Sequence, residues 1–177
     1  MKKYITLFFL VFGIHFTAPA SVSEINVYVW SEYIPDSIIE KFTEETGIKV
    51  NLSTYDNNES LYAKVKLLHN SKSGYDLVMP STYFVSKMRD EGLLTELDKS
   101  KMDNFKNIDE SLINKPFDPE NKYSIPYFWG STALCYNAKY VKEEVDSFNI
   151  LFDPKYAHKI LLTDDVREVF HVALKLL

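Results

Sequence analysis

The chain is expected to be an α/β protein built on a parallel sheet with crossover helices. Three observations carry that expectation. Strand-like and helix-like segments alternate from Ile25 to Gly92, the order a parallel sheet requires because each return passes through a crossover. The composition, 46% hydrophobic and 25% charged over 177 residues, is that of a folded globular chain. Gly 5 and Pro 7 are too few for a linker-rich or low-complexity sequence. The length suits one large domain or two small ones, enough to bury a core.

The first element is an address. Lys2 and Lys3 precede an apolar run from Tyr4 to Phe16, and Ala18-Pro19-Ala20 places small residues where a signal peptidase reads. Such a pattern describes a secretory leader over residues 1–20; as a membrane anchor the run falls short of the ~20 residues that cross a bilayer. No cysteine stands at the cleavage point, so a lipid anchor there is not expected and the mature chain is expected to be soluble and exported.

Ile25, Val27 and Val29 alternate with Asn26 and Tyr28, the period of a strand. Pro35-Asp36-Ser37 opens a helix with Ile38, Ile39 and Phe42 on its apolar face, and Gly47 closes it as a left-handed cap. Ile48–Tyr55 reads as a second strand. Asp56-Asn57-Asn58 is a turn and a helix cap, and Leu61, Tyr62, Val65 and Leu68 follow at helical spacing. After the polar loop from Ser71 to Gly74, Tyr75–Met79 reads as a buried strand. Pro80-Ser81-Thr82-Tyr83 then turns the chain into a helix ending before Gly92, with Ser81 as its cap.

Leu94–Lys122 is polar and turn-rich. Ile125–Tyr136 is apolar and is read as crossing between two lobes. A short helix is expected before Leu151, a short strand at Ile160–Leu162, and a helix over Asp164–Leu177. That last helix is strongly apolar and carries no cap signal, so the chain reads as cut short.

Several function classes lose ground on composition and motifs. The formal net charge is -5, the wrong sign for a nucleic-acid binder, whose affinity comes from neutralising phosphates. The leader holds two lysines and no acid, so its removal makes the balance more negative and favours cationic or neutral partners. No nucleophile elbow, P-loop or H-E-x-x-H is present, and no catalytic residues or cofactor are assigned. His69, His158 and His171 are too dispersed for a ligand set. Cys135 is expected to be a small buried residue, and alone it makes neither a disulfide nor a thiolate zinc site.

Three strand-to-helix turns, Trp30–Tyr33, Ser81–Tyr83 and Asp164–Glu168, pool Trp, Tyr, Ser, Thr and carboxylates. Open parallel sheets bind ligands beyond the carboxyl ends of their strands, where such turns lie. Aromatic faces attract ammonium groups by ~0.5–2 kcal/mol, and ammonium–carboxylate hydrogen bonds add ~1.5–3 kcal/mol. The pooled chemistry suits a flexible organic polycation. The residues alone leave other readings open. Trp30 taken alone reads first as filling the core at a strand end, Asp165 and Glu168 equally have the spacing of a capping box, and Tyr33 and Tyr83 serve as surface residues. Glu32 and Asp165 as an acid/base pair on sugars lack any feature that sets their separation.

Five stretches resemble the periplasmic spermidine/putrescine-binding proteins of polyamine ABC transporters: VYVWSEYIPDSIIEKFTEETGIKV (Val27–Val50), STYDNNESLYAKVK (Ser53–Lys66), YDLVMPSTYFVSKMRDEGLL (Tyr75–Leu94), NKPFDPENKYSIPYFWGSTALCYN (Asn114–Asn137) and ILLTDDVREVF (Ile160–Phe170). They cover nearly all of the chain after the leader, in the family's order. The resemblance implies a two-lobed periplasmic binding protein-like α/β fold whose lobes close on the ligand. Here it would comprise the first-lobe sub-sheet (residues 21–124), an inter-lobe crossover (125–137) and the start of a truncated second lobe (138–177).

The resemblance further implies a monomeric, periplasmic protein that captures putrescine or spermidine for an ABC-transporter membrane permease. It carries ligand contacts over to Trp30, Ser31, Glu32, Tyr33, Ser81, Tyr83, Asp165 and Glu168. Ser31 stands where relatives often carry Thr and keeps the hydroxyl; Phe148 and Phe152 stand where relatives often carry Trp. Family members are considerably longer. A truncated remnant without ligand affinity, and a sugar-binding relative whose binding would ignore salt, are the alternatives.

Overall fold

The computed structural model describes residues 23–69, 71 and 73–176; the leader expected over residues 1–20 lies outside them. Three strands form one parallel sheet: β1 (Glu24–Trp30), β2 (Lys49–Tyr55) and β3 (Leu77–Val78), in the order β2-β1-β3. The crossovers are α1 (Asp36–Thr46) and α2 (Asn58–Leu68), and α3 (Thr82–Asp90) follows β3. Val27 pairs with both Leu52 and Leu77 across the sheet. The sheet grows first to one side of β1 and then to the other. Right-handed crossovers therefore put α1 and α2 on opposite faces.

Local chemistry explains the boundaries. Gly47 ends α1 at φ 70°, its N–H donating to Thr43 O at 2.8 Å, a left-handed cap that a residue with Cβ adopts only at a cost. Asn57 caps α2 by accepting from the Ser60 amide at 2.9 Å. The third strand is shorter than the Tyr75–Met79 run suggests, and it is not buried: Leu77 is 49% exposed, because β3 is an edge strand with β1 as its one neighbour. Its flanks still bond to β1, with Asp76 N donating to Asn26 O at 2.9 Å and Met79 N to Tyr28 O at 3.1 Å. The Asp76 carboxylate also accepts from the Asn26 amide at 2.7 Å, so a side chain replaces one rung of the ladder.

The core lies between the sheet and the α2–α3 pair. Tyr28, Tyr55, Leu61, Phe84 and Met88 are buried together, with Trp30, Tyr62, Tyr75 and Tyr83 packed around them. Tyr28 meets Tyr55 edge-on at 5.1 Å and stacks on Tyr75 at 4.4 Å. Pairs of this kind add roughly 0.5–1.5 kcal/mol beyond the area they bury.

From Lys99 the chain proceeds through 3-10 turns rather than long elements. The firmest of them surrounds Asp118, which is 1% exposed. Its carboxylate accepts from the backbone amides of Lys122, Tyr123 and Ser124 and from the Ser124 hydroxyl at 2.7 Å. Arg89 of α3 donates to Phe117 O at 2.8 Å and ties this knot to the first helices.

Beyond it, Ile125–Tyr136 is irregular, and α4 (Val166–Leu174) forms inside the helix expected over Asp164–Leu177. The short helix expected before Leu151 is a 3-10 turn that runs through it, Phe148–Phe152. Two expectations fail here. Ile160–Leu162 is not a strand and Leu161 is 96% exposed, because no described strand lies beside it to take its backbone hydrogen bonds. Cys135 is exposed rather than buried for the same reason: no sheet covers the segment that carries it.

Candidate functional site

The first turn follows β1 directly. Tyr33 N donates to Trp30 O at 3.3 Å, and Glu32 between them sits at φ 64°. A left-handed glutamate costs about 1–2 kcal/mol; this tight turn brings Trp30 and Tyr33 to one side, ring centroids 6.3 Å apart. Trp30 also leans on Tyr55 at 4.6 Å and packs against the core, as the core-filling reading expects. The segment after the Asp118 knot docks here. Tyr127 donates its hydroxyl to Tyr33 O at 2.8 Å, and Phe128 meets the Tyr33 ring edge-on at 5.3 Å. Ser31 and Glu32 stand exposed at this aromatic end.

The second turn places Ser81 and Tyr83 at the start of α3. Ser81 does not cap the helix with its side chain. It faces Asn58 instead: the Ser81 amide donates to Asn58 Oδ1 at 2.9 Å, and Asn58 Nδ2 donates to Ser81 Oγ at 3.0 Å. The cap was displaced because a buried amide offers the hydroxyl a better-enclosed partner.

The third turn reaches the same spot from far along the chain. Asp165 caps α4, accepting from the amides of Arg167 at 3.0 Å and Glu168 at 3.2 Å through Oδ1. Its other oxygen accepts from the Tyr83 hydroxyl and from Asn58 Nδ2 at 3.3 Å. Asp164 accepts from Asn57 at 3.4 Å beside it. Glu168 accepts from Thr132 Oγ1 at 3.1 Å rather than closing the capping box. The Arg167 guanidinium stands 5.0 Å over the Tyr83 ring.

Burial raises the pKa of Asp165, but the hydrogen bonds from Tyr83, the Glu168 and Arg167 amides and Asn58 outweigh it and hold the carboxyl below its ordinary range. Burial, and then the bond to that carboxylate, push the Tyr83 hydroxyl up to about 12. Burial also raises Tyr55, whose hydroxyl donates to Met79 O. At neutral pH the site therefore presents an anion held by a neutral phenol. Among the described residues no group of His, Cys, Asp and Glu side chains converges as a metal set.

Ser81, Tyr83 and Asp165 are thus in direct or one-residue contact, with Glu168 on the same helix start. Trp30 and Tyr33 form a second cluster that reaches the first through Tyr55 and the Tyr83 edge of the core. Sequence reasoning missed Asn58, Arg167, Tyr127 and Phe128. A signal for Asn58 was present: Asn57 alone suffices to cap α2, which leaves the neighbouring amide unexplained.

Aromatic and carboxylate groups stand at the strand ends of a parallel sheet, with a later segment folded across them, which is where open α/β sheets bind ligands. Comparison with known proteins specifies the class: residues 37–176 match the bacterial extracellular solute-binding proteins, and the chain belongs to that family. The spermidine/putrescine-binding periplasmic protein of Escherichia coli is 53% identical over 149 residues, covering 84% of this chain and 42% of that protein. The chain therefore spans about two fifths of that relative's length. The TpPotD lipoprotein of Treponema pallidum superposes with a TM-score of 0.77 at 35% identity, over 86% of this chain and 47% of that one. The spermidine/putrescine ABC transporter substrate-binding protein PotD of Streptococcus pneumoniae superposes at 0.64 with 41% identity, over 76% and 41%. The fold is the periplasmic binding protein-like α/β fold, here a partial domain on a parallel sheet.

Proposed function

We propose that the chain captures polyamines, putrescine or spermidine, in the periplasm and delivers them to the membrane permease of an ABC transporter, without catalysis. The observation that carries this reading is the Asp165 carboxylate, held anionic between the two parts of the chain and flanked by Tyr83, with Trp30 and Tyr33 beyond it. An ammonium group gains a charge-assisted hydrogen bond from such a carboxylate, and ligand methylenes gain contact with the aromatic rings. Glu32, exposed at the aromatic end beside Tyr33, offers a second carboxylate to a ligand with more than one amine. Ser31 supplies a hydroxyl beside it.

In this reading residues 21–124 are the first lobe, 125–137 the crossover and 138–177 the opening of the second. The names of the relatives, spermidine/putrescine-binding and putrescine-binding proteins, support the polyamine reading.

The experiment is a thermal melt of the chain with and without millimolar spermidine or putrescine at matched ionic strength, since multivalent cations also screen an acidic surface. A specific ligand adds about 2.7 kcal/mol at a hundredfold excess over its dissociation constant. Asp165→Asn is expected to reduce the shift more than Ser81→Ala, because it unpairs an ammonium from its anion. Equal losses would remove the carboxylate from its role. A shift that persists unchanged with a neutral sugar in place of the amine would overturn the polyamine reading.

A further inference from the structure

We propose that Asn58 is a positioning residue of this site: its buried amide pins Ser81 and Tyr83 in place and yields the Asp165 carboxylate to a ligand ammonium. The inference rests on the polyamine reading and adds to it a residue and an exchange.

The argument is a count of donors and acceptors. A carboxamide has two N–H protons, yet Asn58 Nδ2 faces three acceptors: Tyr83 Oη at 2.9 Å, Ser81 Oγ at 3.0 Å and Asp165 Oδ2 at 3.3 Å. It is oversubscribed by one, and the carboxylate is the longest contact. Asp165 is filled in turn. Its roughly four lone-pair positions meet the amides of Arg167 and Glu168, the Tyr83 hydroxyl and Asn58.

An arriving ammonium therefore has to displace one partner. Displacing a backbone amide uncaps α4, and displacing Tyr83 strands a half-buried hydroxyl. Displacing Asn58 leaves its two protons on two acceptors, with nothing orphaned. The side chain cannot follow the carboxylate, because Oδ1 is held by the Ser81 amide at 2.9 Å and the residue is 0% exposed. Its helix does not need it, since Asn57 provides the cap. The charged groups facing Asp165 are Arg167 over the Tyr83 ring, Glu168 on the same turn and Asp164 at Asn57.

The test combines spermidine affinity at fixed ionic strength with a carboxyl-carbon NMR titration of Asp165 in the full chain. Asn58→Ala is expected to weaken spermidine about tenfold by freeing Ser81 and Tyr83, and to move the Asp165 titration upward by removing a donor. Asn58→Asp keeps the acceptor for the Ser81 amide but sets two carboxylates in contact. One of the pair should then retain its proton well above the usual range. If Asn58→Ala does not fold, the Asn58→Asp titration decides alone.

Unchanged affinity with an unmoved Asp165 titration overturns the proposal and leaves polyamine capture standing. An Asp165 that responds to both substitutions in a chain that ignores spermidine supports the positioning role and removes the polyamine reading. A residue that only supported folding would change the melting temperature and leave the Asp165 titration of the folded chain where it was.

Discussion

Residues 23–94 and residues 125–176 carry comparable runs of apolar side chains, and only the first region buries them. Among the described residues the buried hydrophobic ones lie between Val27 and Met88, and past residue 124 none is buried. There Phe128, Trp129, Tyr140, Leu161 and Phe170 stand 63–96% exposed. An open hollow of about 1250 Å³ is lined by residues of the stretch from Thr132 to Ala173, Leu134, Phe148 and Val169 among them. The difference teaches that apolarity places a residue inside only when backbone pairing supplies a surface to pack on. In the first region β1 receives neighbours on both sides, and α2 and α3 then have a face to pack on, whereas α1 buries no residue. In the second, α4 is tied to the rest through polar links at Asp165 and Asp164 and through the Thr132–Glu168 bond.

The sharpest way to break the comparison is a matched pair of leucines. Leu61 is fully buried and Leu161 is 96% exposed. Leu61→Ala should destabilise the chain by about 2–5 kcal/mol, and Leu161→Ala should stay within about 0.5 kcal/mol, both read from denaturant midpoints. Similar losses would mean that the second region packs in solution as firmly as the first.

A smaller effect is expected at the join. Asp118 is buried yet belongs to neither region's apolar packing; it organises the chain where one gives way to the other. Asp118→Ala strands the amides of Lys122, Tyr123 and Ser124 and should cost about 1–3 kcal/mol. Amide exchange should quicken at those three residues and along the following segment, while the Tyr28–Tyr55 core keeps its protection. Faster exchange in β1 instead would show that the knot supports the sheet.

The same contrast explains what was legible in the sequence. The first region could be read because its signals are local: the alternation of Ile25, Val27 and Val29, the helical spacing of Leu61 and Val65, and glycines at 47 and 92 where φ is positive. Ser81, Tyr83 and Asp165 were found as candidates because their turns follow strand ends or open a helix. Their grouping was suggested by the rule that such turns gather beyond strand ends and strengthened by the family resemblance, since Tyr83 and Asp165 are 82 residues apart. Ile160–Leu162 failed because a strand is a property of two chain segments, and the apolar run described only one. Asn58 was passed over for a related reason: an asparagine beside a cap looks like a turn residue until the third dimension shows what its amide meets.

The smallest expected effect is the most specific to the join, because it depends on one carboxylate that belongs to both regions. Asp165 has its pKa depressed in the folded chain. A depressed carboxylate contributes stability that is complete above its unfolded pKa, near 4, and that disappears as pH falls through the lower folded value. Acidification should therefore release α4 from Tyr83 and Asn58, and protection of the Arg167 and Glu168 amides should fall with it. The aromatic core contains no carboxylate and should hold over the same range. Tyr83 supplies the alkaline counterpart. Its pKa, raised to about 12, favours the protonated fold, so its contribution is complete below pH ~10 and diminishes between there and the raised value. Asp165→Asn should shrink the acid limb, leaving the share of the lowered Glu91, Asp98, Asp109 and Glu143, and lower the alkaline limb only in part, since burial still raises Tyr83. A pH profile of melting that keeps its acid limb undiminished in that variant would assign the sensitivity to other carboxylates and leave the join to the remaining links, such as Tyr127 to Tyr33 and Asn57 to Asp164.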